Sequence, residues 1–80
     1  MSASMEWRRR IVIDRAVHHG EPCIAGTRVP VSVIIGSLAD GDSSDQILES
    51  YPQISKEDIR AALSFAAEAV NRFDFVAINP

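Results

Sequence analysis

Cys23, His18 and His19 are the residues best suited by type to nucleophilic or metal chemistry, and their spacing suits neither. Adjacent histidines point in different directions in any regular structure, so His18 and His19 do not readily chelate one ion together. One cysteine and two histidines also fit no structural zinc template. Cys23 stands between Pro22 and Ile24, where a cysteine ordinarily serves as a small buried residue rather than as a nucleophile served by a histidine base. The carboxylates between Asp14 and Glu21 are not spaced for paired acid–base work. Gly26-Thr27-Arg28 lacks the long glycine frame and the lysine of a phosphate-binding loop. The chain is therefore expected to be no enzyme and to need no metal or cofactor.

The basic and polar residues form a second pattern. Lys56, Arg60 and Ser64 recur every four residues along one edge of a helical segment, with Gln53 in the turn before it. If the chain binds DNA, these four are the residues that reach base edges from the start of a recognition helix. Glu57 and Asp58 oppose this, since carboxylates repel phosphate unless one accepts from cytosine. Arg8, Arg9 and Arg10 suit either a basic arm on phosphates or the solvated face of a short strand. A formal charge of −3 counts against nucleic acid as the sole partner. The distribution is uneven, however: Arg8, Arg9, Arg10, Arg15 and Arg28 come early, and most acids follow Ala39.

The elements that must position these residues are short. Ile11-Val12-Ile13 is β-branched throughout and reads as a strand, and Arg15 to Gly20 suits a single helical turn. Gly26 interrupts Cys23-Ile24 and Val29, predicting a tight hairpin that Pro30 ends. Val31, Ile34, Ile35 and Leu38 predict a helix over 31–40, in which Gly36 marks a close helix contact and Gly41 the left-handed stop. Ser43 and Gln46 form a capping box for a helix over 44–50, which Pro52 ends. Ser55 caps a third helix, whose apolar face is read as Ile59, Ala62, Leu63, Ala66 and Val70. Arg60, Ser64, Glu68 and Asn71 fall on its opposite edge. Ile47, Leu48, Ile54, Ile59 and Leu63 are expected to fill the wedge between the last two helices, which have the size of a helix-turn-helix. The fold class is thus mainly α: an N-terminal β-hairpin followed by a three-helix bundle with a helix-turn-helix.

Eighty residues make one small domain, divided into a strand and hairpin segment at 10–30, the bundle at 31–72 and an apolar tail at 73–80. A core this small is marginal, and a single cysteine allows no internal disulfide, so a homodimer is expected. No apolar run is long enough to cross a bilayer, and a free cysteine without an export signal suggests the cytoplasm. Phe73, Phe75, Val76 and Ile78 in the tail either pack back on the bundle or meet another protein.

The run Gly20-Glu21-Pro22-Cys23-Ile24-Ala25-Gly26-Thr27-Arg28-Val29-Pro30-Val31 closely resembles the hallmark of the prokaryotic family called domain of unknown function 433, matching its G-x-P-x-I-x-G-T-R-[VI]-P-V pattern at every fixed position. The likeness continues through Gly41, Ser43, Ile47, Leu48, Tyr51-Pro52, Ile54 and Asp58 to Leu63. It implies a homeodomain-like fold and the antitoxin half of a type II toxin–antitoxin pair. Such an antitoxin neutralises a PIN-like nuclease toxin and binds operator DNA. Read physically, Gly26 serves the backbone geometry of the turn, Pro22 and Pro30 stiffen the strand ends, and Ile24 and Val29 serve burial. Arg28 either fixes the hairpin to the bundle or contacts a partner. The alternatives are a stand-alone helix-turn-helix regulator and a purely structural dimerisation module.

Overall fold

The computed structural model describes residues 7–16 and 18–72. Residues 1–6, Val17 and the tail with Phe73, Phe75, Val76 and Ile78 lie outside the described residues. The elements in order are α1 (Trp7–Arg10), β1 (Ile11–Val12), a 3₁₀ turn (His18–Gly20), β2 (Cys23–Ile24), α2 (Val31–Ala39), α3 (Ser44–Ser50) and α4 (Lys56–Arg72). The fold is mainly helical, with a small β element at the N-terminal end.

The hairpin forms where glycine permits it. Gly26 takes φ +78°, and the Thr27 hydroxyl both donates to the Ile24 carbonyl and accepts from the Val29 N–H. Ile24 N–H donates to Val29 at 2.9 Å, and Cys23 bridges Pro30. β2 has a second neighbour that the sequence reading did not include. β1 pairs with it antiparallel, Ile11 opposite Ile24 and Val12 opposite Cys23, so β2 lies between β1 and the Val29-Pro30 segment.

Pro30 (φ −70°) is the extended N-cap of α2, and the Val31 N–H reaches back to the Pro22 carbonyl. α2 ends in a Schellman motif, with Gly41 at φ +98° and the Asp42 N–H bonded to the Ser37 carbonyl. Gly36 is exposed with open space around it, so no close helix contact exists there. The predicted capping box of α3 is present: Gln46 N–H donates to Ser43 Oγ, and the Gln46 side chain accepts from the Ser43 N–H.

The core joins both parts of the molecule. Ile11, Ile24, Val29, Val31, Ile34, Ile47, Ile54, Ile59, Ala61 and Ala62 are buried together. Trp7, Ile35, Leu38, Leu48, Tyr51 and Phe65 pack against them at the margin.

α4 keeps Ile59 and Ala62 of its predicted apolar face in the core but leaves the rest of that face at the surface. Its buried residues are Asp58, Ile59, Ala61 and Ala62, whereas Leu63 (48%) and Val70 (57%) are exposed. Leu63 therefore does not fill the wedge between α3 and α4. Glu68, expected on the outer edge, is turned toward α1. α1 covers that side of α4. It lies across α4 and adds an aromatic and ionic contact on a face that local periodicity assigns to solvent.

Candidate functional site

The start of α4 is organised by Ser55 and Asp58. Asp58 N–H donates to Ser55 Oγ (3.2 Å), and Asp58 Oδ2 accepts from the Ser55 N–H (3.0 Å). These bonds satisfy two donors that a helix start leaves unpaired. The other carboxylate oxygen of Asp58 accepts from Arg10 at 3.0 Å. Buried Asp58 thus fixes both the first turn of α4 and the end of α1.

Gln53, Lys56 and Arg60 are exposed around this turn, and Ser64 is half-buried farther along α4. Lys56 lies 3.8 Å from Asp45, but both side chains stand in solvent, so that pairing holds Lys56 weakly. Arg60 has no ion-pair partner among the described residues.

The three N-terminal arginines separate. Arg10 is bound to Asp58. Arg8 stacks on the Trp7 ring (4.7 Å to its centre) and pairs with Glu68 at 3.0 Å. They occupy neither a free arm nor the face of a strand, because α1 is helical and clasped to α4. Arg9 is exposed, and with Arg10, Ala25 and Asp58 it lines an open cleft of about 370 Å³. Arg28 follows Ala25 by three residues and is exposed. It makes no hydrogen bond or ion pair to the described residues, so the bundle-fixing role is not observed.

Glu68 anchors the other end of the clasp. It accepts from Trp7 Nε1 (2.8 Å), Arg8 (3.0 Å) and Arg72 (2.8 Å). The Trp7 indole N–H and the two guanidiniums hold its carboxyl below the usual glutamate range, against partial desolvation. Trp7 also meets Phe65 edge to face, with ring centres 4.9 Å apart. Neither Trp7 nor Phe65 carries a local sequence signal of this contact, whereas the Ser55-x-x-Asp58 spacing does signal the reciprocal cap of Asp58.

The remaining hallmark residues are structural in their contacts. Cys23 is buried and donates weakly to the Glu21 carbonyl. Burial, and next the charge of Glu21, push its thiol above the ordinary value, opposite to what a nucleophilic cysteine needs. Glu21 accepts from Ser32 at 2.6 Å, tying the hairpin to α2. Gly20 takes φ +87° after His19 at φ +57°. Among the described residues, no group of three or more His, Cys, Asp or Glu side chains is arranged to hold a metal, and no helix is long and apolar enough to cross a membrane.

Comparison with known proteins agrees with this architecture. Residues 11–66 match the model of a family described as "Protein of unknown function (DUF433)". Over 47 residues, 59% of the chain, the sequence is 43% identical to the uncharacterized protein y4eO of Sinorhizobium fredii, of whose length the match spans only 21%. The fold is similar to the crystal structure of a DUF433 member protein from Anabaena variabilis, with a TM-score of 0.74 and 25% identity over 85% of this chain and 67% of that one.

Proposed function

The chain belongs to the DUF433 family, and from that premise we propose that it is a DNA-binding regulatory module of the antitoxin type. It binds operator DNA through the start of α4 and neutralises a PIN-like nuclease toxin through an apolar surface farther along. α3 and α4 act as a helix-turn-helix, with Tyr51 to Ser55 as the connection. The observation that carries the reading is the outward edge of α4, where Gln53, Lys56 and Arg60 are exposed beside a doubly capped first turn. A rigid first turn holds such side chains in one register, which reading base edges requires. The other exposed, unpaired arginines suit phosphate contacts: Arg9 in the cleft, and Arg28 three residues beyond the cleft residue Ala25.

The toxin-facing surface is read from exposed apolar side chains in the middle and last turns of α4. Leu63 and Val70 are exposed there, and the sequence runs on to Phe73, Phe75, Val76 and Ile78. Apolar side chains of this kind suit contact with a protein partner. The protein acts in the cytoplasm, where both partners are found.

Two experiments test the reading. Binding to DNA upstream of the chain's own gene is expected to weaken in Lys56→Ala and Arg60→Ala, each costing about 1–3 kcal/mol if it contacts a base. Unchanged binding would remove α4 from the interface. Co-expression with the product of the adjacent gene is expected to relieve a growth arrest that this product causes alone. If DNA binding holds and no arrest is relieved, the chain is a stand-alone regulator instead.

A further inference from the structure

The two edges of the small sheet are finished differently. On one side of β2 the edge is Val29-Pro30, where proline offers no N–H and the chain passes at once into α2. On the other side the edge is β1, continued by Ile13, with Val12 (47%) and Ile13 (58%) exposed. Proteins usually blunt an edge of this kind, because its outward N–H and C=O groups template pairing with another chain.

The direction of those groups follows from the observed bonds. Ala25 N–H donates to the Arg10 carbonyl, so residues 10 and 25 are a hydrogen-bonded pair. Ile11 and Ile24 are then a non-bonded pair, and Ile24 accordingly donates the other way, to Val29. The Ile11 carbonyl and the Ile13 N–H therefore point away from β2.

We propose that β1 is a homodimer interface, at which a second copy of this chain adds its own β1 antiparallel about a two-fold axis at Val12. In that register Ile13 N–H of each copy donates to the Ile11 carbonyl of the other, which matches the outward groups derived above. The sequence Ile11-Val12-Ile13 reads the same in both directions, as an isologous pairing needs. Charge agrees too, because Arg10 falls opposite Asp14 of the second copy, and this happens twice. Both groups retain capacity: Arg10 uses Nη1 on Asp58, and Asp14 uses Oδ1 on the Ala16 N–H. The exposed Val12 side chains meet across the axis.

The proposal is independent of the DNA and toxin reading. In the full chain, light scattering after gel filtration should give twice the monomer mass, and Ile13→Pro, which removes the donor, should give the monomer with its helical circular dichroism retained. A crosslinking pair makes the register itself testable. Cα atoms of a non-bonded antiparallel pair lie about 4.5 Å apart, within disulfide reach. Val12→Cys should therefore form an interchain disulfide on mild oxidation. The two Ile13 positions are diagonal, about 7–8 Å apart, and Ile13→Cys should not. A wild-type monomer at the highest attainable concentration would overturn the proposal, as would a dimer in which Val12→Cys fails to crosslink or Ile13→Cys crosslinks equally.

Discussion

The two halves of α4 are one continuous helix held by different physics. The first half carries Asp58, Ile59, Ala61 and Ala62 into the core, with its cap formed by residues three apart in sequence. The second half buries little. It is held from outside by Trp7 on Phe65 and Glu68, a contact across 61 positions of sequence. A helix segment without a buried apolar stripe depends on such tertiary support. The first half can thus present Lys56 and Arg60 rigidly, while Leu63 at the junction and Val70 in the second half stay exposed.

The largest effect that separates the halves should come from the shared core. Ile59→Ala removes a fully packed side chain and should cost about 2–5 kcal/mol in urea denaturation, unfolding both halves together. Trp7→Ala should cost about 2 kcal/mol, less than for a fully buried aromatic. Its effect should also be local: amide exchange should rise from Phe65 to Arg72 while Ile59 to Ala62 stay protected. Equal loss along the helix would show that the clasp supports the whole of α4. Asp58→Asn weakens the cap and the Arg10 pair and should cost about 1–2 kcal/mol.

Acidity should loosen the second half selectively. The folded-state value of Glu68 lies below its ordinary one, so its contribution is present above the unfolded value and is lost as pH falls through the lower, folded one. Exchange from Phe65 to Arg72 should accelerate below the ordinary glutamate range. In Glu68→Gln that acid-dependent increment should be absent. The smallest effect belongs to Leu63→Ser, which should change stability by less than about 0.5 kcal/mol because the side chain is already exposed. Binding of the proposed toxin partner, by contrast, should weaken measurably.

This contrast also explains what could be read in advance. α2, α3, the start of α4, the Ser43–Gln46 box, Gly41 and the Gly26 turn all rest on local rules of a few residues, and all are found where the sequence puts them. The hallmark run likewise gave the family. The clasp was not legible. Four residues from Trp7 to Arg10 carry too little periodicity to declare a helix, and nothing local indicates that Trp7 meets Glu68. Without α1, local periodicity carries the apolar face of α4 out through Leu63 and Val70 and leaves Arg8 and Arg10 to DNA, although Glu68 and Asp58 hold them. Arg9 alone of the three is exposed and unpaired among the described residues.

The proposed division of α4 into a DNA-reading start and a partner-facing end can be tested most directly by mapping backbone amide shifts of the full chain as DNA from upstream of its own gene is added. Shifts should concentrate at Gln53, Lys56, Arg60 and Ser64, with Arg9 and Arg28 beside them, and Ala67 to Arg72 should stay still. Shifts confined to the second half of α4, or none at Lys56 and Arg60 under conditions where DNA binds, would contradict the account.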